Sequence, residues 1–524
     1  MPCPIIPFPQ ELRPQLPPII GNVDYLTLRE RLEQIDALLR ASRVEQNFVH
    51  RALAGWHSGA SREVSALEQL KFQQRSRRAL RCTILRTLLQ EDYRGFSGQL
   101  AGNPLYQWFC LVDALDPVRG PSKSEVQRLA HWLSAEERRE GIDGLLRAAI
   151  EKPRKLSLKE ALDLEEYFLE STCRKANLHF PTDGVVLRDG VRTLMKATLL
   201  IRKAGLRERM EPPEEFLRRM NRLRMEMTQQ ARRAGCKKGR KRVLRAMKKL
   251  VGVVRAPARR HRDLLDQQWE QTEWTRAQAE QILRRLDGVL ELLPRAQKQA
   301  HERIIGGRPV ANADKILSRY DLDVRVIVRG KAGAEVEFGK TVLFGENRQG
   351  VILDCEIFRE PAPADNQTLF GSLSRVWDRA GRQVGAVATD RGFASAANSE
   401  ALAESDTFDG LCPRQPAELS RKMKGKRFAQ LQRRRAQTEG RIGILKHGFL
   451  GRPMRAQGFA HRELALAWGV LTHNLWRLAR RRKTMKSTKK KAIPLPQAAS
   501  GAALAGGCGS AGRKCRCHPR QSGD

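Results

Sequence analysis

Two stretches decide how this chain reads: Val384–Asp390, VGAVATD, and Leu431–Arg452, LQRRRAQTEGRIGILKHGFLGR. The first is a short apolar run ending in an acid, the pattern of a buried strand whose last residue reaches the end of its sheet. The second has helical spacing and is strongly basic, yet it carries one isolated acid, Glu439. A carboxylate kept in so cationic a segment needs a role, and Asp390 poses the same question.

Outward from there the pattern predicts a mixed sheet. VRVIVRG (324–330), AEVEFGKTVLFG (334–345) and GVILDCEIF (350–358) alternate with period two between turn residues, as antiparallel strands do. DNQTLFGSLSRVWDRAG reads as a helix, VGAVATD as a strand, SAANSEALAES as a helix, FDGLCPR as a strand, and RFAQLQRRRAQTEGRIGILKHGFL and ELALAWGVLTHNLWRLARRR as helices. Far upstream, EYFLESTC (166–173) is a short apolar run rich in β-formers and carries Glu170. The order is strand with acid, hairpin, helix, strand with acid, helix, strand, helix with acid. Such an α/β sheet brings carboxylates from two strand ends and one helix together. Two divalent ions ~3.5 to 4 Å apart activate the attacking oxygen and stabilise the leaving one in phosphodiester transfer, and hard cations such as Mg²⁺ take oxygen ligands.

The 524 residues suffice for two or three domains, and 41% hydrophobic content is ordinary for a globular chain. The charge is not ordinary. Lys plus Arg number 97 against 58 acids, a net charge of +39 spread over most of the chain, so a polyanion is the expected partner and nucleic acid the leading one. A membrane surface fares worse: no apolar run approaches the ~18 to 20 residues of a spanning helix, and MPCPIIPFPQ lacks the charged start and apolar core of a signal peptide. Ten scattered cysteines imply a reducing cytoplasm. Cys508, Cys515, Cys517 and His518 have enough ligands for zinc, but they sit in a Gly/Ala/Ser/Arg tail without paired CxxC spacing, and residues 483–524 are read as a disordered basic tail.

Residues 1–150 read as an all-helical N-terminal domain. Thr27 with Glu30 and Ser122 with Glu125 have capping-box spacing, and a first helix is expected to run to about Ala52. Arg77, Arg78, Arg81 and Arg86 lie among the apolar residues of a longer helix, which fits either a helix-turn-helix DNA reader or a plain bundle. Beyond the strand at Glu170, a helix is expected to start near Asp189, and helical periodicity continues to about Arg303. Within it, residues 231–262 hold a basic block without an acid, including Lys237, Lys238, Arg240 and Lys241, which favours phosphate contact. The expected division is 1–150, a first catalytic part 160–200, a basic helical insertion 201–312, the remaining catalytic part 313–482, and the tail.

From about Leu80 to Arg480 the chain resembles bacterial insertion-sequence transposases of the DDE type. The most specific match is Arg435, Glu439 and Lys446, which correspond to the arginine, glutamate and lysine around the family's third acid; Gln432 stands where the family has tyrosine. Asp390 in ATDRGF looks like the second acid. Glu170 in FLESTC, ahead of a family-like ANLHFPTDGVVLRDG, stands where the family has aspartate, and Asp183, Asp321 and Asp323 are its rivals. Asn177 and His179 belong to the same block and read as structural or substrate-orienting. Arg329 and Lys331 are further candidates for phosphate contact.

The resemblance implies a ribonuclease-H-like catalytic domain and a metal-dependent transposase. It would cut at transposon ends and transfer strands into target DNA, with two Mg²⁺ or Mn²⁺ ions held by Glu170, Asp390 and Glu439 and with Arg435 and Lys446 on DNA. It implies double-stranded DNA partners, namely terminal inverted repeats and target, a homodimer or larger synaptic assembly, and a bacterial, nucleoid-associated cytoplasmic location. Alternatives are a catalytically impaired transposase-derived DNA-binding protein and a ribonuclease-H-like nuclease.

Overall fold

The computed structural model of the chain describes residues 11–58, 65–131, 135–232, 236–331, 334–451 and 453–483. Its N-terminal part is helical: α1 (Val23–Ala41), α2 (Val44–Ser58), α3 (Ala66–Leu89), α4 (Tyr93–Gly102), α5 (Pro104–Cys110), α6 (Lys123–Leu129) and α7 (Ala135–Glu151). The first helix begins before the expected Thr27 box, because Asn22 accepts the Tyr25 amide at 2.9 Å and satisfies the first turn four residues after Pro18. It also ends at Ala41 rather than near Ala52. Arg43 adopts a left-handed backbone (φ 61°), and α2 starts anew. Ser122 does cap α6, accepting from the Glu125 amide at 3.3 Å.

The helices of 1–150 have no core of their own. Leu32, Ile35, Leu80, Ile84 and Leu145 share one buried cluster with Tyr167 and Leu169 of the sheet and with Leu471 and Leu475 near the C-terminal end. The arginines of α3 face inward. Arg81 is fully buried, its Nε 2.6 Å from Glu45 Oε1 and its Nη1 2.6 Å from Asp36 Oδ1, while Arg77 reaches Glu11 and Glu45. Arg78 donates to the Leu111 carbonyl and Arg86 to that of Glu91. Of the two readings of this helix, DNA reader or plain bundle, these contacts favour the bundle, because Arg77 and Arg81 are buried on carboxylates and are not presented to a phosphate outside.

The sheet contains β1 (Tyr167–Lys175), β2 (Arg325–Lys331), β3 (Ala334–Asn347), β4 (Ile352–Ile357), β5 (Ala386–Thr389) and β6 (Phe408–Leu411). Its order is β2-β3-β1-β5-β6, and β4 pairs the C-terminal half of β3 just as β2 pairs the N-terminal half. β3 is antiparallel to β1, whereas β5 is parallel to β1 and β6 parallel to β5. The architecture is therefore α/β with a mixed open sheet.

The intervening helices are α8 (Asp183–Lys203), α9 (Pro213–Arg232), α10 (Lys237–Gln268) and α11 (Arg276–Ala300); later ones are α12 (Asp365–Ala380), α13 (Ala396–Glu404), α14 (Pro416–Lys422), α15 (Lys426–Gly448) and α16 (Phe459–Ala479). α8 starts at Asp183, six residues before the expected Asp189, because Thr182 accepts the Val185 amide. Its apolar face does not join the sheet. Val191 and Leu194 pack with Met220 of α9, Met247 and Val251 of α10 and Leu286 and Leu293 of α11 in a second core. The helical unit expected over 201–312 thus takes in α8 as well.

Alternation gives the sheet two distinct faces. Tyr167 of β1 faces α12, its hydroxyl 2.6 Å from Ser372 Oγ. Phe168 faces the other way and forms a small cluster with Ala386, Ala388 and Leu431 of α15. α16 covers the edge of β4, where the Asn474 side chain bonds both the amide and the carbonyl of Ile352 (2.9 and 2.8 Å). Among the described residues no helix is long and apolar enough to cross a membrane.

Candidate functional site

β1 and β5 are parallel with Leu169 opposite Thr389, so the next residues, Glu170 and Asp390, stand at neighbouring positions where the two strands end their pairing. Both belong to the face of Phe168, Ala386 and Ala388, the face that α15 covers. Glu170 is buried, 7% exposed, and Asp390 is half-buried with its Oδ1 accepting the Gly392 amide at 2.9 Å. An open cleft of about 600 Å³ is lined by Asp390, Gln432, Arg435 and Glu439. Glu439 is exposed on α15.

α15 is fixed across the sheet on two sides. Gln432 donates to the Gly410 carbonyl at 2.7 Å and to the Thr389 carbonyl at 3.4 Å, so it ties the helix to the residue before Asp390. Opposite, Arg434 and Thr438 hold the buried Glu346 of β3 (2.8 and 3.0 Å), and the Arg434 guanidinium lies 4.4 Å from the centre of the Phe168 ring. Between these anchors, Arg435 donates to Gln432 Oε1 at 2.9 Å and brings Nη1 to 4.0 Å from Glu170 Oε2. Lys446 donates to Thr172 Oγ1, two residues along β1 from Glu170 and on the same face. Arg435, Glu439 and Lys446 share one stripe of the helix, and the contacts of the outer two bracket Glu439 over the strand that carries Glu170.

The rivals of Glu170 are engaged elsewhere. Asp183 sits in the helical unit, held by Arg303 (2.9 Å) and Gln299 (2.8 Å); Asp321 is bound by Arg462; Asp323 accepts the Phe459 amide at 2.7 Å. Of the two acids in β4, the buried Asp354 is spent on Arg375, Arg379 and Ser372, and Glu356 lies 2.8 Å from Arg375. Asn177 and His179 are exposed. Lys237 and Lys238 are exposed and Arg240 and Lys241 half-buried at the start of α10, apart from the residues that line the cleft. The side chains of Arg329 and Lys331, and the whole Cys508, Cys515, Cys517 and His518 group with its tail, lie outside the described residues.

Among the described residues no three acids, histidines or cysteines are grouped closely enough to hold a metal as they stand. The donor set is nonetheless all carboxylate, which suits a hard divalent cation, and Glu439 is exposed on a helix that is otherwise tied down. Gln432 is the positioning group that sequence reasoning noticed only as a departure from a pattern; its anchoring role depends on carbonyls some 20 and 40 residues away. Gln432→Ala is expected to lower any cleavage activity about 10- to 100-fold while duplex binding holds, since displacement of a reacting group by ~1 Å costs on that order. Rates at saturating DNA for parent and variant check this. No family model matches the chain, no curated protein matches its sequence, and no solved structure matches its fold.

Proposed function

We propose that the chain is a metal-dependent DNA transposase of the DDE type with a ribonuclease-H-like catalytic domain, acting on double-stranded DNA at transposon ends and on a target. The observation that carries this is the juxtaposition of Glu170, inside β1, and Asp390, just past the end of β5, at the point where the parallel β1–β5 pairing stops, with Glu439 on the helix that crosses that same face. The strand order β4-β3-β1-β5-β6, antiparallel then parallel, supports the ribonuclease-H-like reading.

In this mechanism Glu170, Asp390 and Glu439 would hold Mg²⁺ or Mn²⁺, which supplies activation of the attacking oxygen and stabilisation of the leaving one. The chain's own groups bind and orient. Arg435, steadied by Gln432, and Lys446, steadied by Thr172, bracket the acid on α15 and present cationic donors to phosphate oxygens. The basic start of α10, Lys237 to Lys241, offers a second sequence-independent grip. Water attack frees a 3′-hydroxyl, which then attacks target DNA; two DNA ends in one reaction call for a homodimer or larger assembly.

One observation favours a second reading, a DNA-binding protein that has lost catalysis. Glu170 is one methylene longer than aspartate and has the Arg435 cation within 4.0 Å. Glu170→Asp separates the two. Retraction of the carboxylate by ~1 Å lowers cleavage of a working site roughly 100-fold, whereas a gain in cleavage identifies a site damaged by this side chain. Cleavage of duplexes bearing the DNA that flanks the gene, with Mg²⁺ and with Ca²⁺ as control, is the primary test, and absence of Mg²⁺-dependent cutting by the parent sinks the transposase reading.

A further inference from the structure

A group of arginines is packed around the β3–β4 turn, on the far side of α15 from the acids. Arg441 Nη1 donates to the Arg348 carbonyl at 3.2 Å and Arg477 Nη2 to the Gln349 carbonyl at 2.5 Å. Both converge on Gly350, whose φ of +75° turns the chain; a Cβ there would lie 2.7 Å from a nitrogen of each guanidinium. Next to them Trp476 has Arg480 at 5.0 Å, Arg31 at 5.8 Å and Arg477 at 5.9 Å from its ring centre. The elements involved are α1, α15, α16 and the turn, so the grouping is tertiary and not a run of sequence.

The carboxylates nearby do not balance this charge. Glu346 bonds Arg434 and Thr438 through Oε1 and offsets Arg441 and Arg477 only in part, since both still end below their ordinary pKa, and Glu160 is taken by Arg481. Among the described residues no acid comes within ion-pair distance of Arg31, Arg348, Arg441, Arg477 or Arg480. Burial, and then Arg441 beside it, pull the Arg477 pKa down to about 10; burial and Arg434 lower that of Arg441, and burial and Arg480 that of Arg31. Like charges confined without counter-ions cost stability unless an anion joins them.

We propose that Arg31, Arg477 and Arg480 around Trp476, together with Arg441 and the exposed Arg348 at the β3–β4 turn, bind the phosphodiester backbone of a duplex DNA segment that is distinct from the one in the acid-lined cleft. Guanidinium groups take phosphate oxygens in pairs, and the chain's +39 charge favours a long polyanion over a single small one. On α15 this face is roughly 120° to 160° around the helix from Arg435, Glu439 and Lys446, so one straight duplex does not fill both places. The inference rests on the reading of the chain as a DNA-transacting protein, and it adds where a second segment sits.

The test is binding of a labelled 40-base-pair duplex of arbitrary sequence by the full chain across a KCl series, for the parent, for Arg480→Gln and for Arg441→Gln/Arg480→Gln. Arg480 is exposed, so its single substitution leaves the fold intact, and thermal unfolding checks the double variant. Each lost phosphate contact removes about 0.9 from the slope of log affinity against log salt, so the slope is expected to flatten by about 0.9 and about 1.8, with affinity on the order of tenfold or more weaker at low salt for the double variant. An unchanged slope in a folded double variant overturns the proposal. So does weakened binding to anionic phosphatidylserine vesicles with DNA binding intact, which would make the face a membrane contact. A parent that binds duplex but never cuts element ends defeats the transposase reading and leaves this result readable, because only binding is measured.

Discussion

Asp390→Ala and Glu439→Ala are each expected to abolish cleavage of element ends, by at least about a thousandfold, while leaving affinity for the same duplex within a few-fold of the parent. The size follows from what the carboxylates do. Loss of a metal-holding group forfeits several kcal/mol of charge stabilisation, and each 1.36 kcal/mol is a factor of ten in rate. The separation of the two readouts follows from the fold: Asp390 is fixed by the end of β5 and its own Gly392 amide, and Glu439 is exposed on a helix held by other residues, so neither substitution removes a packing contact that α15 needs. Lys446 and Arg435, which would meet the phosphates, remain. Single-turnover cleavage with Mg²⁺, run beside a binding titration, gives the result; two variants that cut as well as the parent would remove both residues from the site.

Arg81→Met is expected to destabilise the chain by about 3 to 5 kcal/mol, since it leaves Asp36 and Glu45 buried without their cation. Its dependence on pH is specific. Burial alone pushes the Asp36 and Glu45 carboxyls up, but Arg81 with Arg13 and Arg77 more than offsets this, and both pKa values end below their ordinary 3.8 and 4.5. A carboxyl depressed in the folded state adds stability above its unfolded pKa and loses it as pH falls through the folded one. The gap between parent and Arg81→Met is therefore widest above about pH 4.5 and narrows in more acid solution, where the orphaned carboxyls of the variant are neutral. Urea unfolding at pH 7 and pH 3.5 reads this out, and a gap that widens on acidification would contradict the network.

Much of the sheet was legible because its signals are local. Period-two alternation marked β2, β3 and β4, and VGAVATD marked β5 because a strand buried on both faces has nowhere for polar residues until its end. The stripe of Arg435, Glu439 and Lys446 was legible for a like reason: helix geometry alone puts positions four and seven apart on one side. What could not be read is what lies across space. Arg77 and Arg81 look like a basic face, and nothing near them in sequence says that Asp36 and Glu45 wait on α1 and α2 and Glu11 on the segment before them. The junction at Asp183 was missed because α8 is apolar on one side whichever core receives it, and only the presence of α9 to α11 decides which. The arginines around Gly350 are scattered from Arg31 to Arg480, and no window of sequence contains them.

The helical unit also sets the order in which the chain can mature on the ribosome. β1 is central to the sheet, yet the partner strand that pairs along its full length, β3, lies about 180 residues downstream, Tyr167 facing Asn347. At roughly 5 to 20 residues per second that is about 10 to 35 s of synthesis during which Phe168 and Leu169 have no sheet to enter. α8 to α11 supply most of their own core by Ala300, and Ile304, Ile305 and Ile316 pack against it soon after. They emerge well before β3, so their core can close while the strand bearing Glu170 waits for its neighbours, and a translational pause placed after Ile316 lengthens the exposure of β1 without harming that core.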